Sequence, residues 1–155
     1  MQLATLCYVK NNDKTLMIHR VKKENDMHEG KWNGLGGKFL PGETPEQCVI
    51  REVEEESGLK ITKPVLKGFL TFPKFSKNVD WYVFVYEAYE FSGKIIESDE
   101  GNLEWIEDSN LTNLNLWGGD KHFFEWMNEN KLFSAKFLYE DGNLKDYNVI
   151  FHDVN

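Results

Sequence analysis

The chain has 155 residues, 41% of them hydrophobic and 22 aromatic (five Trp, six Tyr, eleven Phe), enough to bury a core and too apolar for a disordered chain. Its formal net charge of −8, from 26 acidic and 18 basic residues, argues against duplex nucleic acid and for a small anionic substrate reached through a cation. Cys7 and Cys48 form neither a disulfide framework nor a zinc spacing, and no signal peptide, long apolar run or lipidation motif stands out. One domain over residues 1–155, cytoplasmic and away from membranes, is expected.

In chain order, Leu3 to Val9 reads as a strand, with Leu16 to Arg20 as its partner across Asn11-Asn12-Asp13. Val21 to Gly30 is a charged connection. Lys31 to Lys38, KWNGLGGK, is a glycine-rich loop whose backbone can approach a ligand or metal closely. A helix follows. Thr44 is its N-cap, Pro45 its first residue, Gln47 completes a capping box, and Gly58 is the stop.

Ile61 to Phe72 is mostly extended, with Pro64 limiting part of it to an edge or bulge. Asp80 to Tyr89 has the strongest strand signal, almost continuously aromatic or branched, as suits a strand buried on both faces. A polar turn at Ser92-Gly93 leads to Glu97-Ser98-Asp99-Glu100 and a short strand, Leu103 to Ile106. Asp120 to Asn130 reads as a second helix with Phe123, Phe124 and Met127 on one face. Phe133 to Tyr139 and Leu144 to Phe151 form a hairpin across Asp141-Gly142. Strands on both sides of one helix, with another helix late, predict an α+β fold around a mixed sheet. His19, His28, His122 and His152 lack a metal-ligand spacing and read as surface or structural residues.

The chemistry concentrates at the end of the first helix, where Glu52, Glu54, Glu55 and Glu56 fall within five residues. Helical periodicity puts Glu52, Glu55 and Glu56 on one face beside an apolar stripe of Val49, Ile50 and Val53. Like charges one turn apart repel, and the negative end of the helix dipole repels them again. A solvated acidic face is one reading of such a run. The other is a site for a divalent cation, which carboxylates beside bound phosphate commonly hold.

Gly37, Glu43 and the run Arg51-Glu52-Val53-Glu54-Glu55-Glu56-Ser57-Gly58-Leu59 decide between them, because their spacing resembles the complete signature of the Nudix hydrolases. Within that family the chain looks most like the MutT-type diphosphatases that destroy oxidised purine nucleoside triphosphates such as 8-oxo-dGTP. KWNGLGGK, GETPEQCVIREVEEESGL, ESDE, the Trp117/Asp120 segment and EDGNLKDY carry that likeness. The resemblance implies a layered α/β/α fold with the signature loop-helix and a second helix packed on a mixed sheet. It also implies Mg²⁺-dependent (or Mn²⁺-dependent) hydrolysis of a nucleoside triphosphate to nucleoside monophosphate and pyrophosphate, by a monomer or small homo-oligomer.

By the same resemblance Glu52, Glu55 and Glu56 are metal ligands, Glu56 the central one, with the general base open between Glu52 and Glu55. The Gly36 carbonyl is a further ligand, and Glu100 is either a distal ligand or base or a plain loop acid. Arg51 pairs with Glu43 or a catalytic glutamate to fix geometry, while Gly37, Glu43 and Gly58 hold the signature's shape. Asn33, Phe72, Trp81, Trp117 and Asp120 match the base pocket, and Lys23 and Arg20 are phosphate-contact candidates. Two positions depart from the animal enzymes: Gly119 stands where they have an aspartate before Asp120, and Met27 stands where phenylalanine is typical. The alternatives are a Nudix hydrolase for ordinary (d)NTPs, a nucleotide sugar, a dinucleoside polyphosphate or an RNA 5′ end, or a binding module without catalysis.

Overall fold

A computed structural model describes residues 1–22 and 27–153. β1 (Gln2–Asn11) and β2 (Lys14–His19) form an antiparallel hairpin whose turn puts Asn12 and Asp13 at φ of 47° and 62°, a conformation these short polar side chains tolerate. β3 (Trp32–Asn33) adds two residues beside β2 within the glycine-rich segment.

α1 (Pro45–Ser57) has the ends its sequence implies. Thr44 and Gln47 exchange side-chain and backbone hydrogen bonds, and Gly58 closes the helix at φ 81° with its N–H on the Glu54 carbonyl. The expected extended stretch divides in two, because Lys63 at φ 50° and Pro64 break it into β4 (Leu59–Thr62) and β5 (Val65–Ser76). β6 (Val79–Ala88) is covered on both faces only over Val85–Ala88, its first half being partly open.

Ser92 and Gly93 lie in a strand rather than a turn. β7 (Glu90–Gly93) pairs with β4, Lys60 opposite Ser92, and the buried Leu59 and Ile61 anchor that small sheet. β8 (Asn102–Glu107) runs along β2 and passes into a 3₁₀ segment, Asp108–Asn113. α2 (Asp120–Asn128) precedes the hairpin of β9 (Leu132–Glu140) and β10 (Asn143–His152), turned by Asp141 and Gly142 at φ 52° and 79°.

The main sheet runs β10-β9-β5-β6-β1-β2, with β3 and β8 both on β2; β1 with β6 and β5 with β9 are parallel, and the remaining pairs antiparallel. On one face α2 buries Phe123, Phe124, Trp126 and Met127 against Leu70, Val83, Val85, Phe133 and Phe137. On the other, α1 buries Val49 and Val53 against Cys7, Val9, Leu16, Ile18 and Tyr86. This is an α/β/α arrangement of the α+β class. Among the described residues no helix is long and apolar enough to cross a membrane.

Candidate active site

The glycine-rich segment lies along β1. The Thr5 N–H donates to Gly37 O at 2.9 Å, Leu35 and Cys7 pair in both directions, and Phe39 N–H reaches Leu3 O. With Leu35 and Gly37 turned to β1, Gly36 faces the other way, and its N–H donates to Glu56 Oε1 at 3.0 Å. Only glycine fits at Gly36, where at φ 142° a Cβ would lie 2.1 Å from the Thr5 carbonyl oxygen; a Cβ on Gly37 would lie 2.4 Å from the Glu52 carboxylate and displace it. The close backbone approach expected of this loop is thus an approach to the acids of α1.

Arg51 holds those acids apart. Its guanidinium grips Glu43 with two bonds of 2.7 and 2.9 Å and donates to Glu52 at 2.7 Å, Glu55 at 3.2 Å and the Lys38 carbonyl at 3.0 Å. The Arg51 hydrogen bonds and a backbone N–H from Leu40 hold the Glu43 carboxyl down at about 2. Of the two kinds of partner expected for Arg51, Glu43 or a glutamate of the helix end, the guanidinium takes both.

The helix face is not uniform. The Glu55 side chain is 61% exposed, that of Glu52 19%, and Glu56 is buried. Burial pushes the Glu56 carboxyl up to about 8, against the Gly36 N–H, while Glu100 and Glu52 raise it further and Arg20 pulls it down. Glu100 stands 3.6 Å from Arg20. Glu52, Glu56, Glu100, Arg20 and Gly36 line one end of a cleft of about 820 Å³; Glu55 does not line it. Among the described residues no three acidic, histidine or cysteine side chains gather around one point. Carboxylate and carbonyl oxygens around a phosphate-sized opening still suit Mg²⁺, which typically takes one or two carboxylates and completes its shell with phosphate and water.

The other end of the same cleft is aromatic, with Phe72, Trp81 and Trp117 joined by Phe75 and Tyr139. Trp117 donates its indole N–H to His28 Nδ1 at 2.8 Å and meets Phe75 and Tyr139 edge-on, both at 5.3 Å. Lys38 lies over Trp81 and Lys31 over Trp117, 5.5 and 5.4 Å from the ring centres. Asn33 also lines the cleft, and its amide nitrogen is buried without a hydrogen-bond partner among the described residues. Lys23 lies outside the described residues. Phe75, Tyr139 and His28 were not singled out from the sequence; only Tyr139 had a signal, continuing the inward alternation Phe133, Ala135, Phe137.

Asp120 opens α2 and is buried beneath this end of the cleft, where burial lifts its carboxyl to about 8 despite Lys31 and the Trp117 backbone. A folded value so far above the unfolded 3.8 means that stability is full at low pH and is lost as pH rises through about 8. Asp120→Asn lacks that loss. Thermal unfolding at pH 5 and pH 9 is therefore expected to show the variant gaining several degrees on the unmodified protein at the higher pH. Parallel behaviour at both would mean an ordinary carboxylate.

Known proteins resemble this chain in sequence and in fold. A family model described as NUDIX domain matches residues 1–127. A Bacillus subtilis (strain 168) protein named Uncharacterized Nudix hydrolase YvcI is 34% identical over 131 residues, 82% of this chain and 79% of that protein. A Danio rerio protein named oxidized purine nucleoside triphosphate hydrolase is 32% identical over 118 residues, 76% of each chain. The crystal structure of a MutT protein from Bacillus halodurans superposes with a TM-score of 0.85 at 30% identity, over 96% of this chain and 97% of that one.

Proposed function

The chain belongs to the Nudix hydrolase family, and on that premise we propose that it cleaves purine nucleoside triphosphates, oxidised ones such as 8-oxo-dGTP among them, to nucleoside monophosphate and pyrophosphate. One observation carries this reading: a single cleft joins the acids at the end of α1 to an aromatic chamber holding an unpartnered amide. The acids suit a metal-bound phosphate chain, and the aromatic walls suit a stacked base.

Glu52, Glu56, Glu100 and the Gly36 carbonyl would share the ligation of Mg²⁺ or Mn²⁺, no one ion taking more than two of the carboxylates. When bound, the cation would neutralise phosphate charge and bring the pKa of water toward neutrality. The protein supplies position and a proton acceptor. Arg51 fixes Glu52 through its guanidinium, and the Gly36 N–H fixes Glu56. Water adds to a phosphorus of the chain, the bridging oxygen on that phosphorus departs with the other product, and the proton passes to a carboxylate. Glu52 is better placed for this than Glu55, because it lines the cleft while Glu55 faces solvent. Trp117, Trp81 and Phe72 offer ring faces to the base, and Asn33 and Asp120 offer polar groups to its edge.

A panel of 8-oxo-dGTP, dGTP, dATP and ADP-ribose with purified protein and Mg²⁺ tests the assignment. The expected result is pyrophosphate release with kcat/KM highest on 8-oxo-dGTP. Equal or lower efficiency on the oxidised nucleotide removes the sanitising role, and turnover of ADP-ribose alone points to a different Nudix substrate.

A further inference from the structure

The departure at Gly119 has a structural counterpart in the adjoining Tyr139. A Cβ on Gly119 would lie 2.9 Å from the Tyr139 hydroxyl oxygen and 2.7 Å from the Phe137 ring. The phenol therefore occupies the volume that a side chain at position 119 would fill. We propose that Tyr139 is a specificity-determining residue, its hydroxyl reading the edge of the base in place of a side chain at 119. This rests on the nucleotide reading of the cleft.

Hydrogen-bond accounting supports the assignment. The Gly119 N–H donates to the Tyr139 oxygen at 2.7 Å, so the oxygen is an acceptor there and its own proton is available elsewhere. No acceptor for that proton exists among the described residues, although the residue lines the cleft. Burial, reinforced by Asp120, pushes the phenol above its usual value, so it remains a donor at any physiological pH. The ring stands edge-on to Trp117 at 81°, and Phe72 and Phe75 lie 6.2 and 5.6 Å from it. The hydroxyl thus belongs to the aromatic chamber, where a base stacked on Trp117 would present its rim.

The Asn33 amide nitrogen is a second donor without a partner in the same cleft. Two donors select an edge with two acceptors. Guanine offers its 6-carbonyl and N7, and 8-oxoguanine, whose N7 carries a proton, offers carbonyls at positions 6 and 8, whereas adenine offers a 6-amino donor that would face these groups unfavourably. The cleft is accordingly built for purines carrying a carbonyl at position 6.

Tyr139→Phe removes only the hydroxyl, and the neighbouring Phe133 and Phe137 show that this strand accepts phenylalanine. Calorimetric titration with guanosine and adenosine monophosphates reads the effect without metal or turnover. The unmodified protein is expected to bind the guanosine nucleotide more tightly. The variant is expected to lose about tenfold on it and less than about twofold on the adenosine nucleotide. The dGTP over dATP ratio of kcat/KM should fall in parallel, through KM. Gly119→Ala, which crowds the hydroxyl while leaving it in the chain, should give the same selective loss, so the test survives if one variant folds poorly.

Equal losses on both bases would reduce Tyr139 to a partner of the Gly119 backbone and overturn the proposal, as would unchanged discrimination. If the unmodified protein binds neither nucleotide, the nucleotide reading falls and this proposal with it. If it binds and hydrolyses nucleotides while the variant keeps its base preference, the role of Tyr139 alone falls.

Discussion

Replacing Glu56 with glutamine is expected to lower pyrophosphate release by roughly 10³-fold while leaving the protein folded. The two side chains have nearly the same shape, and a glutamine oxygen can still accept the Gly36 N–H that Glu56 now takes at 3.0 Å. What disappears is a charge. Glu56 is buried, burial raises its carboxyl to about 8, and Glu52 and Glu100 add to the rise. An ionised carboxylate there costs free energy unless a cation stands beside it, so a divalent ion should be stabilised most at this position. Thermal unfolding separates this from a folding defect: Mg²⁺ or Mn²⁺ with a non-hydrolysable nucleotide should raise the midpoint of the unmodified protein and leave Glu56→Gln unmoved. A variant with normal turnover, or with the same metal-induced rise, would place the chemistry elsewhere.

The helix carrying Glu56 was legible because its signals are local. Thr44, Pro45, Gln47 and Gly58 act within one turn of the ends they define, and the structure has each in its capping role. Asp141-Gly142 marked its hairpin for the same reason. Ser92-Gly93 misled, because its composition favours a turn while its conformation is set by Leu59 and Lys60, more than thirty residues earlier. β3 has only two residues and no periodicity to detect. The site divides similarly: Glu52, Glu55 and Glu56 stand together in the sequence, whereas Phe75, Tyr139 and His28 come from three separate segments that only the folded sheet brings to one chamber. Helical periodicity also could not separate Glu55 from Glu56. Packing of Glu56 against the Gly36 backbone does so, and Arg51 meets Glu55 on the outer side.

Arg51 supplies part of the compensating charge that the acidic helix end demands, and Arg51→Ala is expected to cost roughly 10–100-fold in activity through misplaced glutamates. It does not line the cleft itself; Glu43, Glu52, Glu55 and the Lys38 carbonyl each take at least one of its hydrogen bonds, and of these Glu52 and Lys38 line the cleft. Without it, the like charges of α1 meet with only solvent between them, and the midpoint of thermal unfolding should fall on the order of 5 °C at pH 7. The sign of the pH dependence follows from Glu43, whose carboxyl is depressed to about 2 from 4.5. That pairing stabilises the fold above pH 4.5 and is lost as pH falls through about 2, so the two proteins should converge in that acid window. Arg51→Lys retains the charge but cannot hold Glu43 with two bonds while reaching Glu52, so it should recover the midpoint better than the activity. Full activity in the lysine variant would show that charge alone suffices and that the planar fork contributes nothing to placing Glu52.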